Sequence, residues 1–435
     1  MRKLFWGGIH PEGHKDLSRG GAPVPAPLPA QVVLPMVQHI GAPCTPLVQV
    51  GDTVKMGQKI GDGEGLCAPV HASVSGKVVA IEPRLHPNGR QVLSIVLEND
   101  FADTPDDALK PHPNHQELSP QEILNTIREA GIVGMGGATF PTDVKAFSAL
   151  GQVDYILINA CECEPYITAD DTLLCSYPRQ VIGWAETLAY ALNPRHVVIA
   201  VEDNKAEAIR ILKEHLPKDT AIRVQVLPTR YPQGAEKQLI QAVTGRQVPP
   251  GQLPAAVGCA VFNAATAASV YQAVCEGKAV TRRIVTVTGD GANAPKNLIV
   301  RLGASFKETI EAAGGMAEDT VKVLAGGPMM GVAQQDLDVP VLKGTNAILC
   351  LKETPPRPET PTCIRCSRCV AVCPMHLQPL YLYRFEKSGN VQELQRLHLT
   401  DCIECGSCAY VCPGNLPLVE RFRAGKSLLK EAQKA

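Results

Sequence analysis

The sequence reads Cys363-Ile-Arg-Cys366-Ser-Arg-Cys369-Val-Ala-Val-Cys373-Pro374 in its last quarter, and the spacing returns as Cys402-Ile-Glu-Cys405-Gly-Ser-Cys408-Ala-Tyr-Val-Cys412-Pro413. Three cysteines two residues apart, then a fourth followed by proline, are typical of ferredoxins that bind two 4Fe-4S clusters. In that arrangement the fourth cysteine of each run ligates the other cluster. We therefore expect cluster 1 on Cys363, Cys366, Cys369 and Cys412, and cluster 2 on Cys402, Cys405, Cys408 and Cys373.

Structural zinc is the alternative for these cysteines, because paired Cys-x-x-Cys motifs also bind zinc. A tetrahedral zinc site does not require eight cysteines in a doubled pattern, so the spacing favours iron and sulfide. The chain has 16 cysteines in all. Cys161, Cys163 and Cys175 lack a fourth ligand at a suitable spacing. We expect them to be packing residues, and the same holds for Cys44, Cys67, Cys259, Cys275 and Cys350.

The composition excludes several classes of protein. The chain has 435 residues, 45% of them hydrophobic and 4% aromatic, with a formal net charge of −1. That is enough for several cores, but it offers no basic surface for nucleic acid. The first ten residues lack the apolar run of a secretory signal, so we expect a cytosolic chain. The uncharged stretch 254–274 has the length of a membrane span, but its polar residues indicate a buried segment of a water-soluble core.

The middle of the chain predicts an α/β layer. Ser119-Pro120-Gln121-Glu122 has the form of a capping box, and Gly131 supplies the end of the helix that follows. Apolar strand patterns then alternate with helical ones up to residue 227, which favours a mainly parallel sheet. Before this layer, residues 31–100 read as short strands separated by turns. Their Val50-Gly-Asp-Thr-Val-Lys-Met-Gly-Gln-Lys-Ile phrase resembles the barrel-sandwich hybrid of lipoyl domains.

A glycine-rich loop offers a binding site for a phosphate. Gly134-Met-Gly136-Gly137-Ala-Thr-Phe140 lies between two helical patterns, where bare backbone N–H groups can surround an anion at a helix N-terminus. The loop resembles one in the flavin-binding subunit of respiratory complex I. Three further motifs of that subunit follow in the same order: Asn159-Ala-Cys-Glu-Cys-Glu-Pro165, Tyr231-Pro-Gln-Gly-Ala-Glu-Lys237 and Val261-Phe-Asn-Ala-Ala-Thr266.

This resemblance implies a set of cofactor-binding residues. FMN is expected to contact Gly134, Gly136, Gly137, Lys145, Asn159, Glu162, Tyr231, Gly234 and Asn263. NADH is expected to stack on Phe140, with Glu164 and Glu236 near its ribose or nicotinamide. Lys145 suits a phosphate, and an acidic residue can accept hydrogen bonds from ribose hydroxyls. Cys161 and Ala264 depart from the relatives, which have Asp and a second Asn there.

The order of the parts resembles the C subunit of the Rnf complex, an ion-translocating NADH:ferredoxin oxidoreductase of bacteria. The resemblance implies a multidomain α/β fold. Its parts are an arm (1–30), a lipoyl-like barrel-sandwich module (31–100), a Rossmann-like FMN/NADH domain (115–280), a β-grasp-like SLBB unit (281–345), a double 4Fe-4S ferredoxin-like module of helices and loops (355–420) and a tail (421–435).

The family also implies the function. Hydride passes from NADH to FMN, and single electrons then pass through the clusters to membrane partners and ferredoxin. The chain is expected to be a peripheral subunit at the cytoplasmic face of the bacterial inner membrane, without nucleic-acid partners. Two alternatives remain open: a soluble reductase similar to the cobalamin reductase of bacterial microcompartments, and a cluster relay that binds no flavin.

Overall fold

The computed structural model describes residues 5–354, 359 and 361–433. Its first unit is all-β, with a four-stranded antiparallel sheet of order β2-β8-β7-β4 and a three-stranded one of order β3-β5-β6. Alternate residues of the long strands fill the core, such as Val32 and Leu34, because successive side chains of a strand point to opposite faces. Strand β1 (Val24–Pro25) precedes this unit and pairs outside it. The strands of the unit are β2 (Gln31–Pro35), β3 (Thr45–Pro46), β4 (Thr53–Val54), β5 (Lys59–Asp62), β6 (Val70–His71), β7 (Gly76–Leu85) and β8 (Gln91–Asn99).

The second unit is the predicted α/β layer. Its first helix has the capping box that the sequence predicts, with Ser119 and Glu122 each bonded to the other's backbone N–H. Four parallel strands follow in the order β11-β10-β9-β12. The elements are α1 (Pro120–Glu129), α2 (Thr142–Ala149), β9 (Tyr155–Ala160), α3 (Ala169–Ser176), α4 (Pro178–Leu192), β10 (His196–Glu202), α5 (Ala206–His215), β11 (Ile222–Leu227), α6 (Glu236–Thr244), β12 (Cys259–Asn263) and α7 (Ala264–Glu276).

The uncharged stretch 254–274 forms β12 and most of α7, with a glycine turn before the strand. Trp184 of α4 packs edge-on against Phe262 of β12, so this stretch lies in the core of the layer. Within the described ranges, no helix has both the length and the apolar character that crossing a bilayer requires.

The third unit is a six-stranded mixed sheet of order β1-β14-β13-β17-β15-β16. Strand β1 of the N-terminal arm pairs with β14 at one edge of this sheet. Strand β17 begins at Ala347, just beyond the boundary that the sequence predicts at residue 345. Parallel pairing with β13 and antiparallel pairing with β15 place β17 in the middle of the sheet. The elements are β13 (Arg282–Thr288), β14 (Lys296–Arg301), α8 (Phe306–Ala312), β15 (Lys322–Ala325), β16 (Val332–Gln334) and β17 (Ala347–Leu351).

The last unit is a small helical module with a core of its own, which includes Leu382, Leu394 and Phe422. Its helices are α9 (Arg368–Ala371), α10 (Pro379–Lys387), α11 (Val391–Arg396), α12 (Ser407–Tyr410) and α13 (Leu418–Ala432). Short 3-10 helices elsewhere and in this module are Lys15–Leu17, His115–Glu117, Pro254–Val257 and Leu399–Asp401.

The N-terminal arm connects these units. The Gly8 N–H donates to the carbonyl of Val372 in the helical module, and Ile9 exchanges two backbone hydrogen bonds with Tyr231 of the α/β layer. A Cβ atom at Gly7 would lie 2.7 Å from the Cys373 carbonyl oxygen, and one at Gly8 2.6 Å from that of Tyr231. Both glycines also have positive φ, so this close approach requires glycine.

Candidate functional site

The eight cysteines of the two runs surround two cavities in the helical module. One cavity is lined by Cys363, Cys366, Cys369 and Cys412. The other is lined by Cys373, Cys402, Cys405 and Cys408. The fourth cysteine of each run therefore lies beside the first three of the other run. Four thiols around one cavity are a suitable ligand set for a 4Fe-4S cluster.

The cysteines around the second cavity are the more buried set. Cys373, Cys405 and Cys408 are buried, and apolar side chains such as Leu382 and Phe422 complete the wall. Burial raises the pKa of the Cys402 thiol to about 11, so a metal has to displace the proton for the thiolate to form. Backbone N–H groups point at two of the sulfurs, from Leu377 to Cys373 and from Glu404 to Cys402, each at 3.4 Å. Such N–H···S bonds tune cluster potentials.

The glycine-rich loop is closed by its own backbone. The Gly134 N–H donates to the carbonyl of Phe140, and the Thr139 N–H donates to that of Gly134. Between them Gly136 and Gly137 are exposed, and Gly137 has a φ of 110°. The Phe140 ring is partly exposed at the end of the loop, two residues before α2 begins. This leaves bare backbone at a helix N-terminus, the arrangement that binds phosphate groups.

Two asparagines place this loop at the carboxyl ends of the parallel strands. Asn159 near the end of β9 and Asn263 at the end of β12 are direct neighbours in the sheet. A Cβ atom built on Gly136 would lie 3.4 Å from Asn263, so the loop passes directly over that residue. Asn263 also caps α7 through its side-chain oxygen, and its amide donates to Asp170 at 2.7 Å. Open α/β sheets bind ligands in the crevice beyond these strand ends.

Lys145 and Glu236 form an ion pair beside the loop. The Lys145 ammonium on α2 is 2.8 Å from the carboxylate of Glu236, the first residue of α6. It also donates to the carbonyl of Val261 at 3.1 Å. Both side chains are partly exposed, at 31% and 38%. The structure thus brings together two residues that the sequence assigned to different ligands, FMN and NADH.

The acidic turn after β9 is held by buried contacts. The Glu162 carboxylate accepts hydrogen bonds from the backbone N–H groups of Asp170 and Asp171 at the start of α3. Glu164 accepts from the N–H groups of Met329 and Met330 through one oxygen, while its other oxygen is buried and has no hydrogen-bond partner in the described structure. Burial raises the pKa of Glu164 to about 7. It also raises that of Glu162, which the nearby Lys15 ammonium lowers in turn.

Tyr231 joins the α/β layer to the second set of cysteines. Its side chain is buried, and its hydroxyl donates to the carbonyl of Cys405 at 2.7 Å. Three residues later, Gly234 donates its N–H to Cys163 Sγ and accepts from the Asn159 amide. The sequence predicted FMN contacts from Tyr231 and Gly234. In the structure Tyr231 contacts the cysteine module, whereas Gly234 contacts the acidic turn after β9.

Sequence reasoning missed three buried cations around this site. The Lys15 ammonium donates to the carbonyls of Glu162, Glu164 and Ile167, and Lys205 donates to that of Cys161. Arg283 of β13 donates to the carbonyl of Met135 in the glycine-rich loop, and its Nε and Nη1 have no partner in the described part of the chain. No local motif marks these cations, because the carbonyls to which they donate lie more than 40 residues away in the sequence.

Each of the four units described above matches a model of a known protein family. Family models match the RnfC barrel sandwich hybrid domain at residues 3–102, the Nuo51 FMN-binding domain at 127–272, an SLBB domain at 284–333 and a 4Fe-4S dicluster domain at 362–416. The solved NAD+-reducing nickel–iron hydrogenase in its H2-reduced state matches with a TM-score of 0.49 and 19% identity, over 74% of this chain and 65% of that one. The fold and the site define a multidomain oxidoreductase subunit with an FMN-binding domain and a 4Fe-4S dicluster domain.

Comparison with similar proteins identifies the particular family of oxidoreductase subunits. The chain is 44% identical to the C subunit of the Na+-translocating ferredoxin:NAD+ oxidoreductase complex of Acetobacterium woodii, over 88% of each chain. It is 43% identical to the proton-translocating counterpart of Clostridium ljungdahlii, over 90% of this chain and 86% of the relative. It is 42% identical to the C subunit of the ion-translocating oxidoreductase complex of Pasteurella multocida, over 99% of this chain and 52% of that relative. The chain belongs to the family of C subunits of ion-translocating ferredoxin:NAD+ oxidoreductase complexes, as the sequence predicts.

Proposed function

We propose that this chain oxidises NADH at a bound FMN and passes the electrons singly through two 4Fe-4S clusters towards ferredoxin. The names of its relatives, which are subunits of ferredoxin:NAD+ oxidoreductase complexes, support both ends of this reaction. The observation that carries the proposal is the Tyr231 contact. One side chain of the α/β layer, three residues before Gly234, bonds directly to the peptide of Cys405.

The residues around the glycine-rich loop fit a flavin nucleotide. Exposed backbone at Gly136 and Gly137 and the ammonium of Lys145 suit its phosphate, together with the remaining contacts inferred from the resemblance at Gly134, Asn159, Glu162, Tyr231, Gly234 and Asn263. The chemistry that FMN supplies when bound is the exchange between a two-electron donor and one-electron acceptors. The buried guanidinium of Arg283 adds a donor for an oxygen-rich ligand, because its Nε and Nη1 have no partner among the described residues.

Three residues are assigned to NADH. The partly exposed ring of Phe140 offers a stacking surface, and Glu164 and Glu236 offer carboxylates for hydroxyl or amide groups. Because burial raises the pKa of Glu164 to about 7, this carboxyl can hold or release a proton near neutral pH. Its free oxygen atom can therefore act as either donor or acceptor towards a ligand.

The placement of the cysteines gives an order for the clusters. The set Cys402, Cys405, Cys408 and Cys373 adjoins the α/β layer, through Tyr231 and through Gln238, whose amide donates to the carbonyl of Pro374. In the other set, Cys366 is exposed and its neighbour Ile364 is 69% exposed. We assign cluster 2 as the first electron acceptor and cluster 1, on Cys363, Cys366, Cys369 and Cys412, as the exit towards a partner.

The proposed location is the cytoplasmic face of the bacterial cell membrane, where NADH and ferredoxin are present. There the chain binds the other subunits of the complex, and those subunits carry out ion translocation. The lipoyl-like module at 31–100 and the SLBB unit at 281–345 are assigned to holding the flavin domain and the cysteine module in place. The contact of Glu164 with Met329 and Met330 of the SLBB unit supports this role.

An anaerobic purification tests the proposal. Iron, sulfide and FMN are quantified, and NADH is then added while the visible spectrum is recorded. About eight irons and one FMN per chain are expected from the motifs, with bleaching of both chromophores. Clusters without flavin, or flavin that NADH does not reduce, would contradict the proposal and favour a relay fed by another subunit.

A pair of glycine variants makes the test specific to the loop. Gly137→Val places a β-branched residue at φ 110° in the proposed phosphate loop, and should abolish flavin binding while the iron content stays at the wild-type level. Gly151→Val is the matched control, because Gly151 also has positive φ and open space around it but lies in the turn after α2. Equal loss of flavin in both variants would show a general effect on folding.

A further inference from the structure

A third group of side chains that can ligate a metal ion lies in the all-β unit, away from the cysteine module. His39, Cys44 and Cys67 are all buried, with exposed fractions of 6%, 3% and 1%. The two sulfurs are 3.3 Å apart, and His39 Nε2 is 3.7 Å from Cys44 Sγ and 3.6 Å from Cys67 Sγ. Among the described residues outside the cysteine module, this is the one group with three such ligand atoms within 4.8 Å of one another. We propose that it is a structural zinc site.

The triangle has the size of one face of a zinc tetrahedron. Zinc–sulfur bonds of about 2.3 Å and zinc–nitrogen bonds of about 2.0 Å give edges of roughly 3.8 Å between two sulfurs and roughly 3.5 Å between sulfur and nitrogen. The three observed distances are within about 0.5 Å of these values. The Ala68 carbonyl oxygen, 3.4 Å from Cys44 Sγ, is a candidate for the fourth ligand.

The contacts of His39 allow the tautomer that a metal ligand needs. Its Nδ1 is 3.3 Å from the carbonyl oxygen of Ile40. When Nδ1 carries the proton and donates to this carbonyl, the lone pair of Nε2 points towards the two sulfurs. A histidine that ligates metal through one nitrogen usually donates its other N–H to a carbonyl or carboxylate in this way.

The charges around the sulfurs also suit a metal. Burial and the neighbouring Cys67 raise the pKa of Cys44 to about 12. The buried ammonium of Lys343 opposes this effect and favours the thiolate. Zinc binding releases two thiol protons and forms two zinc–sulfur bonds. The resulting ZnS2N unit is neutral, as a buried site requires.

The position of the site gives it a structural role. Its ligands fasten the loop after β2 to the loop before β6, where a Cβ atom at Gly41 would lie 2.0 Å from the Leu66 carbonyl oxygen. From the same loop, the Ile40 N–H donates to the carbonyl of Thr139 in the glycine-rich loop at 3.1 Å. Lys343 donates to the carbonyls of Pro69 and Gly131. The metal would thus fix the surface against which the glycine-rich loop rests.

X-ray absorption at the zinc edge tests the proposal on the unmodified full-length chain. The protein is purified anaerobically from cells supplied with zinc sulfate and desalted, and zinc and iron are quantified together. We expect about one zinc beside about eight irons, with two sulfurs at about 2.3 Å and one or two nitrogen or oxygen ligands at about 2.0 Å. A first shell of four sulfurs would place the zinc in the cysteine module and overturn the proposal.

Variants and mass spectrometry complete the test. Cys44→Ala and Cys67→Ala should each reduce zinc from about one to below about 0.1 per chain, with iron unchanged. Cys350→Ala is the matched control, because Cys350 is equally buried but lies in β17. Mass spectrometry after denaturation and alkylation gives the state of the two thiols. Protein without zinc overturns the proposal whether Cys44 and Cys67 are both alkylated or are joined in a disulfide, which lowers the mass by about 2 Da.

Discussion

Removing the Lys145 ammonium should weaken FMN binding much more than riboflavin binding. In the proposed site this ammonium neutralises the flavin phosphate. A hydrogen bond to a charged group contributes about 1.5–3 kcal/mol, so Lys145→Ala should raise the Kd for FMN by about 10- to 150-fold. Riboflavin has no phosphate, so its Kd should change by less than about twofold. Lys307→Ala, which removes an exposed lysine on α8, is the control for the change of net charge.

The ion pair with Glu236 predicts an opposite effect from the partner residue. Without ligand, the Lys145 ammonium is 2.8 Å from the Glu236 carboxylate, which therefore competes with a phosphate. Both side chains are about one-third exposed, and pairs of this kind contribute about 0.2–1 kcal/mol. Glu236→Gln should then tighten FMN binding by about 1.4- to 5-fold. The same substitution should raise KM for NADH if Glu236 contacts that substrate.

Titration of the flavin-depleted chain measures both effects, with flavin fluorescence as the signal. The double variant Lys145→Ala/Glu236→Gln should bind FMN as weakly as Lys145→Ala alone, because Glu236 acts on the phosphate only through Lys145. Salt should reduce the difference between wild type and Lys145→Ala, since the pair is exposed enough to be screened. Equal losses for FMN and riboflavin, or weaker FMN binding in Glu236→Gln, would refute the assignment of Lys145 to the phosphate.

Three further predictions concern the clusters, a buried acid and a buried cation. Cys412→Ser should remove the cluster of the other cysteine run, so that EPR of the reduced protein loses the signal of cluster 1 and retains that of cluster 2; loss of cluster 2 alone would contradict the crossed arrangement. Burial raises the pKa of Glu164 from its ordinary value to about 7, so the protonated carboxyl stabilises the fold fully below about pH 4.5. This contribution to the free energy of unfolding, on the order of 3 kcal/mol, is lost as the pH rises through 7. Glu164→Gln should therefore lose less thermal stability than wild type between pH 6 and pH 8, and parallel curves would argue against this value. Arg283→Met should lower FMN occupancy after gel filtration, with a Kd about tenfold higher, whereas Met at the exposed neighbour Arg282 should have no effect.

The sequence predicted those parts of the fold that depend on short spacings. The capping box at Ser119 and the alternation of strands and helices up to residue 227 are found where their patterns indicate, because each is decided by residues a few positions apart. The two cysteine runs are equally local, and their crossed grouping in the structure follows from the ferredoxin pattern. The parallel sheet follows from strands that alternate with helices.

Contacts between distant parts of the chain could not be read from such spacings. The sequence marked residues 1–30 only as an arm, yet Lys15 is 6% exposed and donates to carbonyls about 150 residues away. Arg283 reads in the sequence as one more residue of a strand, and only the packed structure places it under Met135. Cys44 and Cys67 were expected to be packing residues. In the structure His39 Nε2 lies within 3.7 Å of both sulfurs, although the three residues form no recognisable metal motif in the sequence.

The arm also explains how this chain can keep two redox modules in a fixed relation. Electron transfer depends steeply on the distance between cofactors, so a hinge between the flavin domain and the cysteine module would make the rate variable. Gly7 and Gly8 bring the arm within van der Waals contact of Cys373 on one side and of Tyr231 on the other. Tyr231 then bonds to Cys405, which closes a short loop of contacts through both cysteine runs. Each contact uses backbone atoms or one rigid ring, so little side-chain freedom is lost when it forms. The N-terminal arm thus holds the cysteine set of cluster 2 against the flavin domain.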